Sequence, residues 1–138
     1  MVLDEDNYVV QGHAVIADLR HRAGRYASGS SATLLCGRPG CAVRRVVEGD
    51  QWVAARPLVL EWFDAQCRLM ERSMALTRSV YALQDLYRSP DCMTEAHTEL
   101  IRVAVESKNV LTESYRLARI DVLNVAQRLQ DLDMWVDE

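Results

Sequence analysis

Apolar residues recur at intervals of three and four positions along most of this chain, which is the spacing that one face of an α-helix requires. The pattern predicts an all-α fold with a long antiparallel helical hairpin, a shorter N-terminal helix, and a small β-hairpin or irregular insert at about 33–47. A length of 138 residues fits one domain of ordinary size. We therefore predict a single helical domain, 1–138, with segments at 1–27, 28–50, 51–88 and 89–138.

The first segment is predicted to be helical from about Asp6 to Ala27, because its apolar residues share one face. Gly12 and Gly24 lie within it, and each weakens a helix by about 1 kcal/mol relative to Ala. A flexible Ser/Gly connector follows at 28–31, and two β-prone runs then flank a Gly/Pro turn at 37–40. This arrangement indicates a β-hairpin that must pack on the helices to be stable.

The main part of the second predicted helix begins near Pro57, since proline is tolerated in the first turn of a helix. Asp50 is expected to cap a short helix ahead of it. Its apolar residues fall in rows with a spacing of seven, of which the first is Trp62, Leu69, Leu76 and Leu83. Three such rows make an apolar surface wider than a two-stranded coiled coil needs, so at least two neighbouring helices are expected.

The clear break in the pattern lies at Ser89-Pro90-Asp91, where Ser89 is the expected N-cap of the third helix. One apolar stripe then runs from Met93 to Val136, a length over which a continuous helix would extend about 66 Å. A bend or an interface is expected at the polar stretch 106–109. Helices of unequal length leave apolar surface uncovered, so a protein partner or a homo-oligomer is predicted.

The predicted protein interface consists of large side chains on the helical rows and near the C-terminus. Trp is over-represented among the residues that dominate binding energy at interfaces. The alternative for Trp135 is the last turn of the helical core, and Trp52 could instead cover the β-hairpin. The predicted set is Trp52, Trp62, Phe63, Met70, Leu129, Leu132 and Trp135.

Charge falls into three blocks, although the net charge is only −4. Residues 1–19 carry four acids and no Lys or Arg, residues 20–45 carry six Arg and no acid, and the remainder is acidic. Such a basic block attracts an anionic partner, because neutralising phosphates releases counterions, or it pairs with acidic segments of protein. The candidate residues are Arg20, Arg22, Arg25, Arg38, Arg44 and Arg45. Nucleic acid is thus an alternative partner, although Tyr26 is the one aromatic residue of the block that could stack on bases.

Cys36 and Cys41 face each other across the predicted turn, where two thiolates could hold zinc. Zinc usually takes four ligands, so His21 and a distant donor, Cys67 or Cys92, would have to complete the site. The spacing does not match a Cys-x-x-Cys knuckle, and no second pair follows. We therefore expect no metal or other cofactor and interpret these cysteines as small buried hydrophobic residues, with a disulfide as a further alternative.

No constellation of catalytic residues is apparent in the sequence. Glu95, His97 and Glu99 are close together, but residues two apart on a helix point in different directions and cannot converge on one atom. We therefore predict a non-enzymatic helical interaction module, such as an adaptor, an assembly subunit or an accessory protein, with a viral origin as one setting. The alternative function is a small helical nucleic-acid-binding subunit of a ribonucleoprotein or DNA complex. An enzyme whose site forms only between subunits is a third class.

The expected location is intracellular, in the cytoplasm or the nucleus. No run of 18 apolar residues is present, and the acidic start of the chain does not match a secretory signal. Four cysteines without such a signal favour a reducing compartment. The sequence thus predicts no contact with a membrane.

Overall fold

The computed structural model describes residues 5–36, 43–91 and 93–136. Its helices are α1 Glu5–Ala27, α2 Gly49–Arg88 and α3 Glu95–Asp131. Its strands are β1 Ser31–Cys36, β2 Arg44–Glu48 and β3 Met134–Trp135. The predicted fold class, a long helical hairpin with a shorter N-terminal helix and a small β insert, is confirmed.

α2 is the central element, because α1 and α3 both pack along it. Trp62 and Phe63 of α2 are 3% and 1% exposed, and their rings meet edge to face with centroids 5.0 Å apart. Tyr26 of α1 stacks on Phe63 and also contacts the ring of Trp52. Aromatic rings therefore join α1 to the first half of α2.

A close approach of α1 to α2 explains a glycine in the middle of α1. A Cβ atom at Gly12 would lie 2.4 Å from the Sδ atom of Met74, so a larger residue here would push the two helices apart or displace that side chain. Nearby, the hydroxyl groups of Tyr8 and Ser73 are hydrogen-bonded between the helices. The poor helix propensity of Gly12 is thus offset by tertiary contact. Gly24, by contrast, has open space around it.

The three strands form one antiparallel sheet in the order β2-β1-β3. Leu34 of β1 pairs with Arg45 of β2, and Cys36 of β1 pairs with Met134 of β3. Because side chains alternate between the faces of a sheet, Leu34, Val47 and Met134 share one face, and all three are buried in the core. The predicted hairpin therefore packs on the helices, and the C-terminal segment adds a third strand to it.

α2 begins at Gly49 and continues through Pro57 as one helix, so the expected division into a short and a main helix does not occur. Asp50 lies in the first turn of α2 instead of at an N-cap. Pro57 cannot donate the hydrogen bond of its turn, but Trp52 is 2% exposed on the preceding turns, and its burial favours their continuing as helix. Gly49 has a left-handed backbone with a φ of 61°, which turns the chain from β2 into α2.

Thr94, and not the predicted Ser89, is the N-cap of α3. The backbone N–H of His97 donates a hydrogen bond of 3.2 Å to the Thr94 hydroxyl oxygen. Ser89 instead ends α2, and its hydroxyl oxygen accepts a hydrogen bond from the N–H of Asp91 within the turn. A ring nitrogen of His97 lies 2.6 Å from the carbonyl oxygen of Leu86, which closes the tip of the hairpin. Ser and Thr are both favoured N-cap residues, and here the Thr five residues later starts the helix.

α3 runs without a break through the polar stretch 106–109, so the expected bend does not occur. It ends at Asp131 rather than continuing toward the C-terminus, and Asp133 then adopts a left-handed backbone with a φ of 55°. Trp135 is consequently a strand residue and not the last turn of the helical core, which corrects that prediction. Met134 and Val136 are two apart and both buried, a spacing that suits a strand.

Candidate interaction surface

The structure places most of the predicted interface residues in the core. Trp52, Trp62, Phe63 and Leu129 are at most 3% exposed, and Met70 packs against the same core while partly buried. The indole N–H of Trp52 donates a hydrogen bond of 3.1 Å to the carbonyl oxygen of Gly29, which ties α2 to the connector before β1. The four buried side chains hold the helices of this chain together, so in this fold they present no surface to a partner.

Leu132 and Trp135 remain at the surface. Leu132 is 38% exposed and lies in the turn between α3 and β3. Trp135 is half-buried and pairs with Leu35 of β1, and Leu35 in turn pairs with Arg44 of β2. These three side chains share the face of the sheet that is turned away from the buried Leu34. The outer face of the sheet thus carries a half-buried Trp and Leu beside an Arg.

The arginines of α1 form contacts within the chain. Arg20 forms an ion pair with Glu71 of α2 at 3.5 Å, although its side chain is 69% exposed. Arg22 lies 3.9 Å from Asp18, and its guanidinium lies 5.5 Å from the centroid of a core aromatic ring. Arg25 is exposed in the last turn of α1, where its charge complements the helix dipole.

The arginines of β2 lie on opposite faces of the sheet. Arg45 donates hydrogen bonds to the carbonyl oxygens of Leu132 and Asp133 at 3.3 and 3.2 Å, which ties β2 to the turn after α3. Arg44 is exposed on the other face. Arg38 lies outside the described residues. The positive charge of the block is therefore divided between α1 and the two faces of the sheet.

The zinc candidates are not brought together in the described ranges. Cys41 and Cys92 lie outside them, and His21 is exposed on α1. Among the residues that the structure describes, no group of three or more His, Cys, Asp and Glu side chains could hold a metal ion. Cys36 is half-buried, and Cys67 is buried in α2. Burial raises the pKa of the Cys67 thiol, so this thiol stays protonated at neutral pH and packs as a small hydrophobic residue.

The cluster at the start of α3 makes structural contacts. The His97 ring closes the hairpin tip against Leu86, as described above. Glu95 lies in the first turn of α3, where a carboxylate complements the helix dipole. Glu99 accepts hydrogen bonds from the guanidinium of Arg102 one turn along. Each of the three side chains thus has a separate contact or helix-end role.

A row of exposed apolar side chains lies along one side of α3. Leu100, Val103, Val110 and Leu117 are 56%, 50%, 69% and 49% exposed. Ser107 and Ser114 fill the positions between them at a spacing of three and four residues, which places all six on one helical face. No charged residue interrupts this row from Leu100 to Leu117.

The side of α2 that borders this row can be identified from a shared groove. Ser114 and Leu117 line a shallow groove of about 180 Å³ together with Arg68 and Arg72 of α2. Continuing from Arg72 toward the tip at the same spacing gives Ala75, Ser79, Ala82 and Leu86, none of which is charged. We call the two rows together the hairpin face, which comprises Ala75, Ser79, Ala82, Leu86, Leu100, Val103, Ser107, Val110, Ser114 and Leu117.

Charged residues border the hairpin face along the outer edge of α3. Glu113 accepts hydrogen bonds from Arg116, and Arg102 donates to both Glu99 and Glu106. The hydrogen bonds from Arg102 lower the pKa of Glu99, and those from Arg116 lower the pKa of Glu113. These carboxylates are therefore ionised at neutral pH and keep the edge of the face charged.

None of the residues of the hairpin face is among those that the sequence predicted to form the interface. The stripe assigned to the third helix includes Ala118, Val125 and Leu129, which the structure buries. A second stripe through Val103, Val110 and Leu117 has the same spacing and lies beside it. Scoring every face of the predicted helix, instead of the strongest face alone, would have found this second stripe.

Comparison with known proteins assigns no family, because no family model, curated protein or solved structure matches the chain. Among the described residues, no helix is long and apolar enough to span a lipid bilayer.

Proposed function

We propose that this chain is a non-enzymatic protein-interaction module that binds its partner through the hairpin face. The observation that supports this is the row of half-exposed apolar side chains on α3, which serine residues but no charged residues interrupt. Burial of a Val or Leu side chain contributes about 1.5–3 kcal/mol when it is complete, and these half-exposed side chains gain only part of that within one chain. A contiguous row of this kind is typical of a contact surface, because a solvated helix normally carries polar residues there.

The composition of the face favours a helical partner. Small residues on α2, Ala75, Ser79 and Ala82, allow another helix to approach closely. Larger residues on α3, such as Val103 and Val110, can fill the spaces between the side chains of that helix. The row from 100 to 117 is about 25 Å long at the rise of an α-helix, which is about five turns. An elongated partner of about this length fits the face.

The nucleic-acid alternative depends on the arginines of α1 and β2. Arg25 and Arg44 are exposed and could contact phosphate groups. Arg20 is engaged with Glu71, and Arg45 is engaged with backbone carbonyl groups, so fewer cations are available than the sequence implies. We favour the protein partner for this reason. Oligonucleotide binding that weakens with rising salt would instead support the alternative.

Two matched substitutions test the proposal. Val110→Lys places a charge in the middle of the hairpin face, and Val53→Lys places the same charge on α2 outside it, at a residue that is similarly exposed (72% against 69%). Both variants should unfold within about 0.5 kcal/mol of the wild type, since both positions are at the surface. The tagged chain is then used to capture proteins, including untagged copies of itself, from an extract of the cells in which it occurs.

The expected result is a captured protein that the wild type and Val53→Lys retain and Val110→Lys loses, measured by quantitative mass spectrometry. Loss is expected because the inserted ammonium group would have to be desolvated in an apolar contact. The same set of proteins captured by all three forms would contradict the proposed role of the face.

A further inference from the structure

We infer that the occupant of the hairpin face is the hairpin face of a second copy of this chain, with α3 of each copy lying against α2 of the other in a four-helix bundle. This inference rests on the proposed function and names its partner. A contact between two copies about a two-fold axis requires a surface that complements itself. The hairpin face and its charged borders meet that requirement in three respects, namely height, size and charge.

The heights of residues along the two helices are known from their contacts within one copy. Leu86 and His97 meet at the tip, and Arg72 and Ser114 line one groove farther down. A two-fold axis parallel to the helices preserves these heights, because it rotates the second copy without shifting it along its length. Each α3 then meets the partner's α2 in nearly the register that it has with its own α2, and the two remain antiparallel.

The sizes of side chains match in this register. Counted from Arg72 beside Ser114, Val110 of one copy lies at about the height of Ala75 of the second copy, and Val103 lies at about the height of Ala82, so larger residues meet smaller ones. Ser107 lies at about the height of Ser79, and this small pair lets the helix axes approach closely. Near the tip the contact closes with apolar side chains from both copies.

The charges match as well. Arg78 of α2 lies at about the height of Glu106 on the α3 of the second copy, and Asp85 lies at about the height of Arg102. Among the described residues, no ion pair is formed by Arg78 or Asp85. These groups are therefore available for pairs between copies, which contribute mainly to specificity and register.

One like-charged approach occurs in this arrangement. Arg72 lines the groove between α2 and α3, which lies on the two-fold axis, so it faces its own counterpart at the same height. Asp121 of each copy lines the same groove and offsets part of this repulsion.

The other way to pair the faces turns the second copy end over end, so that α3 meets α3 and α2 meets α2. Arg78, which forms no ion pair among the described residues, would then approach its own counterpart across the axis. Glu106 would also approach Glu113 of the second copy, but the guanidinium groups of Arg102 and Arg116 offset that repulsion. Like charges in direct opposition disfavour a contact. The charge pattern therefore selects the arrangement in which α3 lies against α2 of the other copy.

Sedimentation velocity over a dilution series tests this inference with charge reversals at exposed positions. One variant carries Glu106→Arg, and a second carries Arg78→Glu. The wild type should self-associate, and each variant alone should have its dimer Kd raised about tenfold or more, because like charges now face each other. An equimolar mixture of the two variants should regain the wild-type Kd, since every reversed charge then meets its opposite. Far-UV circular dichroism verifies that each variant remains helical.

A wild type that stays monomeric at every concentration would overturn the inference. A Glu106→Arg variant that associates more tightly than the wild type would also overturn it, because that result is expected where α3 meets α3. The proposed function fails separately. If the wild type is monomeric but Val110→Lys loses a captured protein of different sequence, the interaction role stands and only the identity of the partner is wrong.

Discussion

The base and the distal half of the hairpin are made from the same two helices, yet they differ in what covers them. At the base, α1 and the sheet enclose aromatic residues such as Trp62 and Phe63. In the distal half, none of the described residues from 75 to 117 is buried, and Val110 is 69% exposed. The base is therefore a complete core, whereas the distal half is one side of a core.

The contrast also concerns the kinds of residue used. A helical hairpin that ended in water would carry charged residues on all of its outer positions. Here charge is confined to the edges, for example at Glu106 and Glu113, while Ala, Ser, Val and Leu occupy the hairpin face between them. This distribution is typical of helices that pack on another helix. This distribution of residues supports the proposal that the distal half of the hairpin contacts a partner.

The largest effect that separates the two regions should come from removing an aromatic ring at the base. Phe63→Ala should lower the free energy of unfolding by about 3–5 kcal/mol, because it empties the space between Tyr26 and Trp62. Tyr87→Ala, at a residue that is 58% exposed near the tip, should change it by about 0.5 kcal/mol or less. Urea unfolding of both variants measures the difference, and equal losses would contradict the division into a complete and an incomplete core.

An intermediate effect is expected where α1 approaches α2 most closely. Gly24→Ala should stabilise the chain by about 0.5–1 kcal/mol, since nothing lies near that position and Ala is the better helix former. Gly12→Ala should lose this gain and become net destabilising, because overpacking against buried Met74 costs about 1–3 kcal/mol. Thermal unfolding compares the two; a Gly12→Ala variant as stable as Gly24→Ala would mean that the helices are farther apart than described.

The smallest effect concerns the charged edge of the hairpin face. The hydrogen bonds from Arg116 hold the pKa of Glu113 below its ordinary value, so Arg116→Ala should raise that pKa toward the ordinary value. A carboxylate with a lowered pKa in the folded state adds stability above its unfolded pKa and loses it as the pH falls through the folded pKa. The contribution is slight because the pair is exposed.

An NMR titration of the Glu113 side chain measures this shift. Lys108→Ala is the matched control, since it removes a cation that forms no ion pair with Glu113 among the described residues. An unchanged Glu113 pKa in the Arg116→Ala variant would mean that hydrogen bonds from Arg116 do not cause the lowered pKa.

The helices could be predicted from the sequence because their periodicity is strong and local. The spacing of apolar residues predicts both ends of α1 and the end of α2 to within one residue, whereas α3 begins and ends inside its predicted segment, 89–138. It misses the start of α2, because the burial of Trp52 outweighs the local effect of Pro57. It also misses β3, because Met134 continues the apolar stripe of α3, and its pairing with Cys36 involves residues far apart in sequence.

The interface could not be predicted from the size of side chains. A Trp in an apolar segment is equally compatible with a core and with a binding surface, and only tertiary contacts, such as that of Tyr26 of α1 with Trp52, decide that it is covered. The residues of the hairpin face are Ala, Ser, Val and Leu, none of which is an aromatic residue typical of binding surfaces. They can be recognised as a surface only because α1 and the sheet leave the distal half of the hairpin uncovered. That information is in the tertiary packing, not in the local pattern.

Hydroxyl-radical footprinting across a dilution series measures whether a second copy covers the hairpin face, because the oxidation of each residue reports its exposure to solvent. We predict that Leu100, Val110 and Leu117 are protected at high protein concentration and become oxidised on dilution, while Val53 is oxidised at every concentration. Equal oxidation of the face residues at all concentrations would contradict the account, because it would mean that no second copy covers them.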